Sequence, residues 1–89
     1  MTTSYRLVLV KWRDAAGGTR GGWKPASDAG RDLPAECRSV GWVIHEDSER
    51  ITLAPHFAHD RDVDGEITIP RDWAQSILEL VEKPTRKKR

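Results

Sequence analysis

The chain has 89 residues, of which 37% are hydrophobic and 33% are charged, and its 15 basic residues nearly balance its 14 acidic residues. This length accommodates one domain with a small core, and the longest apolar run, at residues 7–10, excludes a membrane span of roughly 20 residues. A single cysteine, Cys37, excludes an internal disulfide and predicts a reducing, cytoplasmic setting.

The charge is unevenly distributed along the chain. Five basic residues lie near its end: Lys83, Arg86, Lys87, Lys88 and Arg89. The first 82 residues hold 10 basic groups against 14 acidic groups, a net charge of −4. Such a body gives no support to duplex binding, which needs concentrated positive charge. The sequence predicts a single domain over residues 1–82 and a disordered basic tail over residues 83–89.

The first third of the chain predicts one strand and one long loop. Residues 5–12 (YRLVLVKW) are rich in β-branched and aromatic residues, which is typical of a strand. Both faces of this strand are largely apolar, which indicates cover on both sides and predicts a homo-oligomer, because uncovered strands invite pairing. From residue 13 to about residue 36, repeated glycines and prolines predict a long loop that contains Trp23.

Alternating apolar residues predict further strands. Residues 38–55 form a predicted hairpin with its turn at residues 47–49, residues 56–65 a polar, acidic loop, and residues 66–70 a short strand. The last element is ambiguous. Helical spacing and a capping box favour a helix over residues 73–82, whereas a tight turn at residues 72–74 would lead into a final strand.

The order of these elements resembles a small SH3-like or Sm-like barrel, and three segments resemble short phage and prophage proteins. These segments are residues 39–44 (SVGWVI), 51–55 (ITLAP) and 67–71 (ITIPR), accompanied by Trp12, Asp14 and Trp23. The resemblance spans residues 5–81 and implies a turn and a strand after residue 71. We therefore expect an all-β fold, a five-stranded barrel with a long first loop, and keep four strands plus a helix over residues 73–82 as the alternative. The resemblance also implies a phage or prophage origin and hence the cytoplasm of the host cell.

Patterns typical of metal sites and catalytic sites are incomplete. Residues 60–67 (DRDVDGEI) match the start of a calcium-binding loop, but the twelfth position is Arg71 instead of a carboxylate. A solvated acidic loop is the favoured interpretation, and ion binding by residues 60–66 stays open. His56 and His59 are three positions apart and would need helical geometry to face one metal, but they lie in a predicted loop after a proline. No serine or cysteine lies in a nucleophile motif, so we expect neither an enzyme nor a bound metal or cofactor.

Four tryptophans are the most unusual feature of the composition. Trp12 and Trp42 lie in strands and predict core or inter-subunit packing. Trp23 and Trp73 lie in a loop and a turn, where an exposed indole is expected to stack on a ligand or a partner. Nearby cations could meet phosphate. The predicted ligand-binding set is Trp23, Lys24, Arg38, Arg71 and Trp73.

Three hypotheses of function follow. The first is a non-enzymatic, oligomeric binding protein that holds or sequesters a nucleotide-like ligand, a host immune signal if the implied phage origin holds. The second is an Sm-like RNA- or DNA-binding protein that uses the basic tail. The third is a protein–protein adaptor or inhibitor of a host factor that acts through the tryptophan surface. None of the three involves a membrane.

Overall fold

The computed structural model describes residues 4–15, 22–31 and 33–84. Within these ranges the strands are β1 (Leu7–Asp14), β2 (Ala35–Glu46), β3 (Arg50–Ala54), β4 (His56–Ala58), β5 (Asp62–Asp64), β6 (Ile67–Pro70) and β7 (Ala74–Leu80). A short helix, α1 (Ala26–Ala29), precedes β2, and a 3-10 turn (Arg71–Trp73) joins β6 to β7. The predicted all-β fold is confirmed. None of the helices in the described part of the chain has the length and apolar character needed to cross a membrane.

Five of the strands form one antiparallel sheet in the order β6-β3-β2-β1-β7. Strand β1 pairs with β2 from Leu7 to Asp14 and with β7 from Leu7 to Trp12. The two edge strands, β6 and β7, are joined by only the three residues of the 3-10 turn. The sheet must therefore curl until its edges approach each other, which encloses one face and leaves the other outside.

The alternative helix over residues 73–82 is wrong, because residues 74–80 form strand β7. In a strand, Ile77 and Leu78 point to opposite faces, and their partners on β1 are Val10 and Leu9. Pairing along β1 gives the backbone of both strands hydrogen-bond partners, and this tertiary gain overrides the helical spacing of the side chains.

The core lies on the enclosed face of the sheet. It consists of seven apolar residues that are at most 9% exposed: Val8, Val10, Trp12, Val43, Ile51, Leu53 and Ile69. The prediction that Trp12 packs in the core is confirmed. Its indole Nε1 donates a hydrogen bond to Ser39 Oγ at 3.0 Å, so burial leaves no unsatisfied donor on this ring.

Two predicted loops are shorter or more regular than the sequence indicated. Strand β1 continues to Asp14 and β2 begins at Ala35, so residues 13–36 are not all loop. Residues 56–65 contain the hairpin β4–β5. Its turn places His59 and Asp60 at φ values of 55° and 53°, a conformation that these two residue types tolerate better than most. Strands of three residues are too short to show an alternating pattern, which is why the hairpin was missed.

Parts of the predicted long loop and basic tail lie outside the described residues. These parts are residues 16–21, residue 32 and residues 85–89. Lys83 is described and exposed.

Candidate binding surface

Strand β1 has a second apolar face, opposite the core. Leu7 and Leu9 alternate with the buried Val8 and Val10. Their register partners on β2 and β7 extend this face across three strands. We call the set the outer face: Leu7, Leu9, Val40, Trp42, Leu78 and Leu80. Val40 is 53% exposed and Leu78 is 48% exposed, so the middle of the outer face presents apolar side chains to solvent.

One end of the outer face is cationic. The register places Lys11 beside Arg38 on β2 and Ser76 on β7, one row beyond Leu9. In the next row, Arg13 and Glu36 form an ion pair at 3.1 Å and largely cancel each other's charge. The positive charge at this end therefore comes from Lys11 and Arg38.

The other end opens into an aromatic cleft of about 560 Å³. The ring of Phe57, held there by the β4–β5 hairpin, lies 5.1 Å from the ring of Tyr5 and 5.5 Å from the ring of Trp42, measured between centroids. Leu7 and Leu80 line the same cleft. Three aromatic rings and two leucines thus form one concave apolar surface at the end of the sheet.

Carboxylates surround this aromatic cleft. Asp60, Glu79 and Glu82 all line it. Among the described residues that line the cleft, Arg6 carries the basic side chain, and its guanidinium is ion-paired with Glu46. The other oxygen of that carboxylate, Oε2, lies 3.2 Å from Arg71 Nη1. The cleft therefore combines aromatic faces with an excess of negative charge, which is a suitable environment for a cation.

The predicted ligand-binding set is distributed over separate parts of the molecule. Trp73 stacks on Trp12 with a centroid distance of 6.4 Å and an interplanar angle of 15°, and it remains 40% exposed. Arg71 belongs to the same 3-10 turn, but its Nη1 atom is buried beside Glu46. The structure thus places Arg71 and Trp73 on one short turn, with the charge of Arg71 already partnered.

The other three members of the set lie elsewhere. Arg38 is in register with Lys11 on the outer face, whereas Trp73 stacks on a tryptophan of the core face, so the sheet lies between them. Trp23 is fully exposed and Lys24 is exposed. Both lie in the segment before α1. Trp23 makes no ring contact with another described aromatic residue. Nucleotide binding by this set stays a prediction, as does nucleic-acid binding by Arg86, Lys87, Lys88 and Arg89, which lie outside the described residues.

In the described part of the chain, no three His, Cys, Asp or Glu side chains come together in a group that could hold a metal ion. His45 and Asp47 form a pair at 2.7 Å. Asp62 and Asp64 of the predicted acidic loop lie in β5, opposite Ala58 and His56 of β4.

Sequence reasoning missed the aromatic cleft. Tyr5 and Phe57 are 52 positions apart in the numbering, and only the position of the β4–β5 hairpin at the end of the sheet brings their rings together. The one signal in the sequence was the apolar character of both faces of β1, which indicated that one face packs in the core and the other contacts a second apolar surface.

No protein-family model, curated protein or solved structure matches the chain. Its function is therefore inferred from the outer face and the aromatic cleft.

Proposed function

We propose that the protein is a non-enzymatic protein-binding domain whose aromatic cleft takes a cationic side chain of its partner. The observation that carries this proposal is the cluster of Tyr5, Trp42 and Phe57 beside carboxylates of the same cleft. This function corresponds to the adaptor hypothesis drawn from the sequence. A host protein is the expected partner if the chain has the phage origin that its resemblance implies.

A cation gains in two ways in such a cleft. The faces of aromatic rings attract a guanidinium or ammonium group by about 0.5–2 kcal/mol, depending on its exposure. The methylene stem of an arginine or lysine can also pack on Leu7 and Leu80 while its charged end meets the carboxylates. Each gain is modest, so one side chain alone would bind weakly.

The outer face supplies the remaining affinity. Leu9, Val40 and Leu78 form an apolar row next to the cleft, in which Val40 and Leu78 are exposed. A partner that places a cationic side chain in the cleft can bury its own apolar residues on this row, which is the main source of binding free energy in protein interfaces. The combination favours a protein or peptide over a small free cation.

Charge separates this function from nucleotide binding at the same place. Asp60, Glu79 and Glu82 would repel phosphate groups from the cleft. A nucleotide would need the surface around Trp73 instead, where the exposed indole is available for stacking. The two hypotheses therefore predict responses at different tryptophans.

The test is an NMR titration that follows the indole N–H signals of all four tryptophans. The probe is the peptide acetyl-Leu-Arg-Leu-Arg-amide, and the control peptide carries glutamine in place of arginine. We expect the arginine peptide to shift the Trp42 signal more than the Trp73 signal, and the glutamine peptide to bind more weakly. A nucleoside monophosphate is titrated in parallel, and a response at Trp73 alone would favour the nucleotide hypothesis.

Charge variants sharpen the test. The double variant Asp60→Asn/Glu82→Gln should weaken binding of the arginine peptide by about three- to ten-fold, because two carboxylates of the cleft are neutralised. Asp28→Asn/Glu49→Gln makes the same change of net charge outside the cleft and should leave binding unchanged. Equal affinities for both double variants would overturn the proposed function.

A further inference from the structure

We infer that a second copy of this chain binds the outer face, with Lys11 and Arg38 of each copy entering the aromatic cleft of the other. This inference rests on the proposed function, since it names a partner for the same cleft. It is carried by the order of charged and apolar rows along β1.

Three consecutive rows cross the strands β2, β1 and β7. The cationic row is Arg38, Lys11 and Ser76; the apolar row is Val40, Leu9 and Leu78; the aromatic row is Trp42, Leu7 and Leu80. Neighbouring rows are two residues apart, or about 6.6 Å along a strand. Of the acidic residues of the cleft, Glu82 lies beyond the aromatic row and Asp60 comes from the β4–β5 turn, whereas Glu79 pairs with the buried Val8 and points to the other face of β7.

A two-fold axis through the apolar row makes this surface complementary to itself. Consider an axis that lies between the two outer faces and runs perpendicular to the strands at the level of Leu9. It places the apolar row of one molecule on the apolar row of the second molecule. The cationic row of each molecule then lies over the aromatic row of the other. Arg38 meets Trp42 of the second copy, beside the carboxylates of that cleft, which is a favourable arrangement for a cation.

Charge also excludes the other simple symmetric arrangement. A two-fold axis parallel to the strands would place the cationic rows of the two molecules on each other, and the two Lys11–Arg38 pairs would repel. Aligned sheets pack about 10 Å apart with strand directions within about 30°. The antiparallel arrangement keeps the strands of the two sheets aligned and pairs unlike charges at both ends.

The size of the contact determines its strength. Five residues along β1 and three strands across span about 16 Å by about 14 Å, which is smaller than the roughly 800 Å² per partner of a standard interface. Burial of Val40 and Leu78, both about half exposed, gives the contact an apolar centre. We therefore expect a dimer that dissociates on dilution.

The experiment is sedimentation velocity of the full chain from about 10 μM to about 1 mM, a range that covers weak dimers. We expect a monomer–dimer equilibrium within this range. A second measurement uses two charge-reversal variants, Lys11→Glu/Arg38→Glu and Asp60→Lys/Glu82→Lys. Each should be monomeric alone, because reversal places like charges at both ends of its homodimer.

An equimolar mixture of the two variants is the decisive sample. In the mixed dimer every reversed charge meets an opposite charge, so the mixture should recover the dimer that each variant lacks. Lys24→Glu/Arg31→Glu, which changes net charge equally outside the outer face, should dimerise like the original chain. The single variant Val40→Lys, at an exposed position, should also be monomeric and checks the apolar row without changing the cleft.

The outcomes separate this inference from the proposed function. A chain that stays monomeric at about 1 mM, or a mixture that stays monomeric, overturns the homodimer. If the arginine peptide still shifts Trp42 in that monomer, the proposed function stands without it. A chain that dimerises with the expected charge pattern but ignores the peptide when dilute confirms the homodimer and removes the cleft as a general peptide site.

Discussion

The two faces of strand β1 have nearly the same apolar character but very different surroundings. Val8 and Val10 are fully buried, whereas the neighbours of Leu9 on the opposite face, Val40 and Leu78, are about half exposed. Burial of apolar surface stabilises a fold only where the fold itself covers that surface. The enclosed face therefore contributes the stability of the domain, and the outer face holds apolar area available to a partner.

The outer face is itself divided. At the end near the aromatic cleft, the β4–β5 hairpin brings Phe57 against Trp42, and Ala54, the register partner of Trp42, is fully buried. One row further along, Val40 is exposed. The hairpin thus covers part of the sheet and forms one wall of the cleft.

The largest expected contrast is between two leucines on the two faces. Leu53→Ala should lower the free energy of unfolding by about 3 kcal/mol, because Leu53 is 1% exposed and its loss leaves a cavity in the core. Leu78→Ala, at a position 48% exposed, should cost less than about 1 kcal/mol. Urea unfolding of both variants in dilute solution measures the difference. Equal losses would mean that the outer face is part of the core.

A second contrast concerns two glycines. A Cβ on Gly41 would lie 2.9 Å from the carbonyl oxygen of Ala54 and 3.1 Å from Leu53 Cβ, too close for a normal contact. Gly41→Ala should therefore cost about 1–3 kcal/mol in unfolding free energy, as for other overpacked sites. Gly30→Ala is the control, since nothing lies within 4 Å of its Cβ position, and it should not destabilise the domain. A neutral Gly41→Ala variant would contradict the close approach of β2 and β3.

The covered part of the outer face should give a smaller loss. Phe57→Ala removes a half-buried ring that contacts both Tyr5 and Trp42, and we expect a loss of about 1.5 kcal/mol. Phe57→Leu should recover part of it. Thermal unfolding monitors stability, and the fluorescence of Trp42 should shift toward that of a more hydrated indole. An unchanged melting temperature would show that the hairpin only rests beside the sheet.

The smallest expected effect is at the exposed turn between β2 and β3. Hydrogen bonds from His45, and then from the backbone N–H groups of Glu49 and Arg50, lower the pKa of Asp47 to about 2. Because the pKa is lower in the folded chain than its ordinary value of 3.8, the stabilisation is present above that value and is lost as the pH falls through about 2.

Asp47→Asn removes this titration. Between about pH 5 and about pH 2, the melting temperature of this variant should fall by a few degrees less than that of the original chain. The difference is small because Asp47 is solvent-exposed and screened. Identical pH profiles would contradict the role of the Asp47 carboxylate in the turn.

The sequence predicted the strands that have long alternating patterns. The prediction was ambiguous where the helical spacing of apolar side chains competed with the pairing of strands. The β2–β3 hairpin and the strand at β1 were identified correctly, because the alternation of apolar and polar residues is a local property that does not depend on what the strand packs against. The segment at residues 74–80 satisfied both a helix and a strand, and only the free edge of β1 decided between them. The β4–β5 hairpin depends on two left-handed residues that no periodicity reveals.

By itself, the sequence determined that this is a small β-domain with more apolar strand surface than one core requires. Composition and alternation are local properties, and they hold whatever the chain packs against. Only the tertiary structure decided which face of β1 is enclosed, and that Tyr5, Trp42 and Phe57 meet beside carboxylates at one end of the sheet. Register and curl bring together residues that are distant in the chain, and side-chain spacing carries no information about such distances.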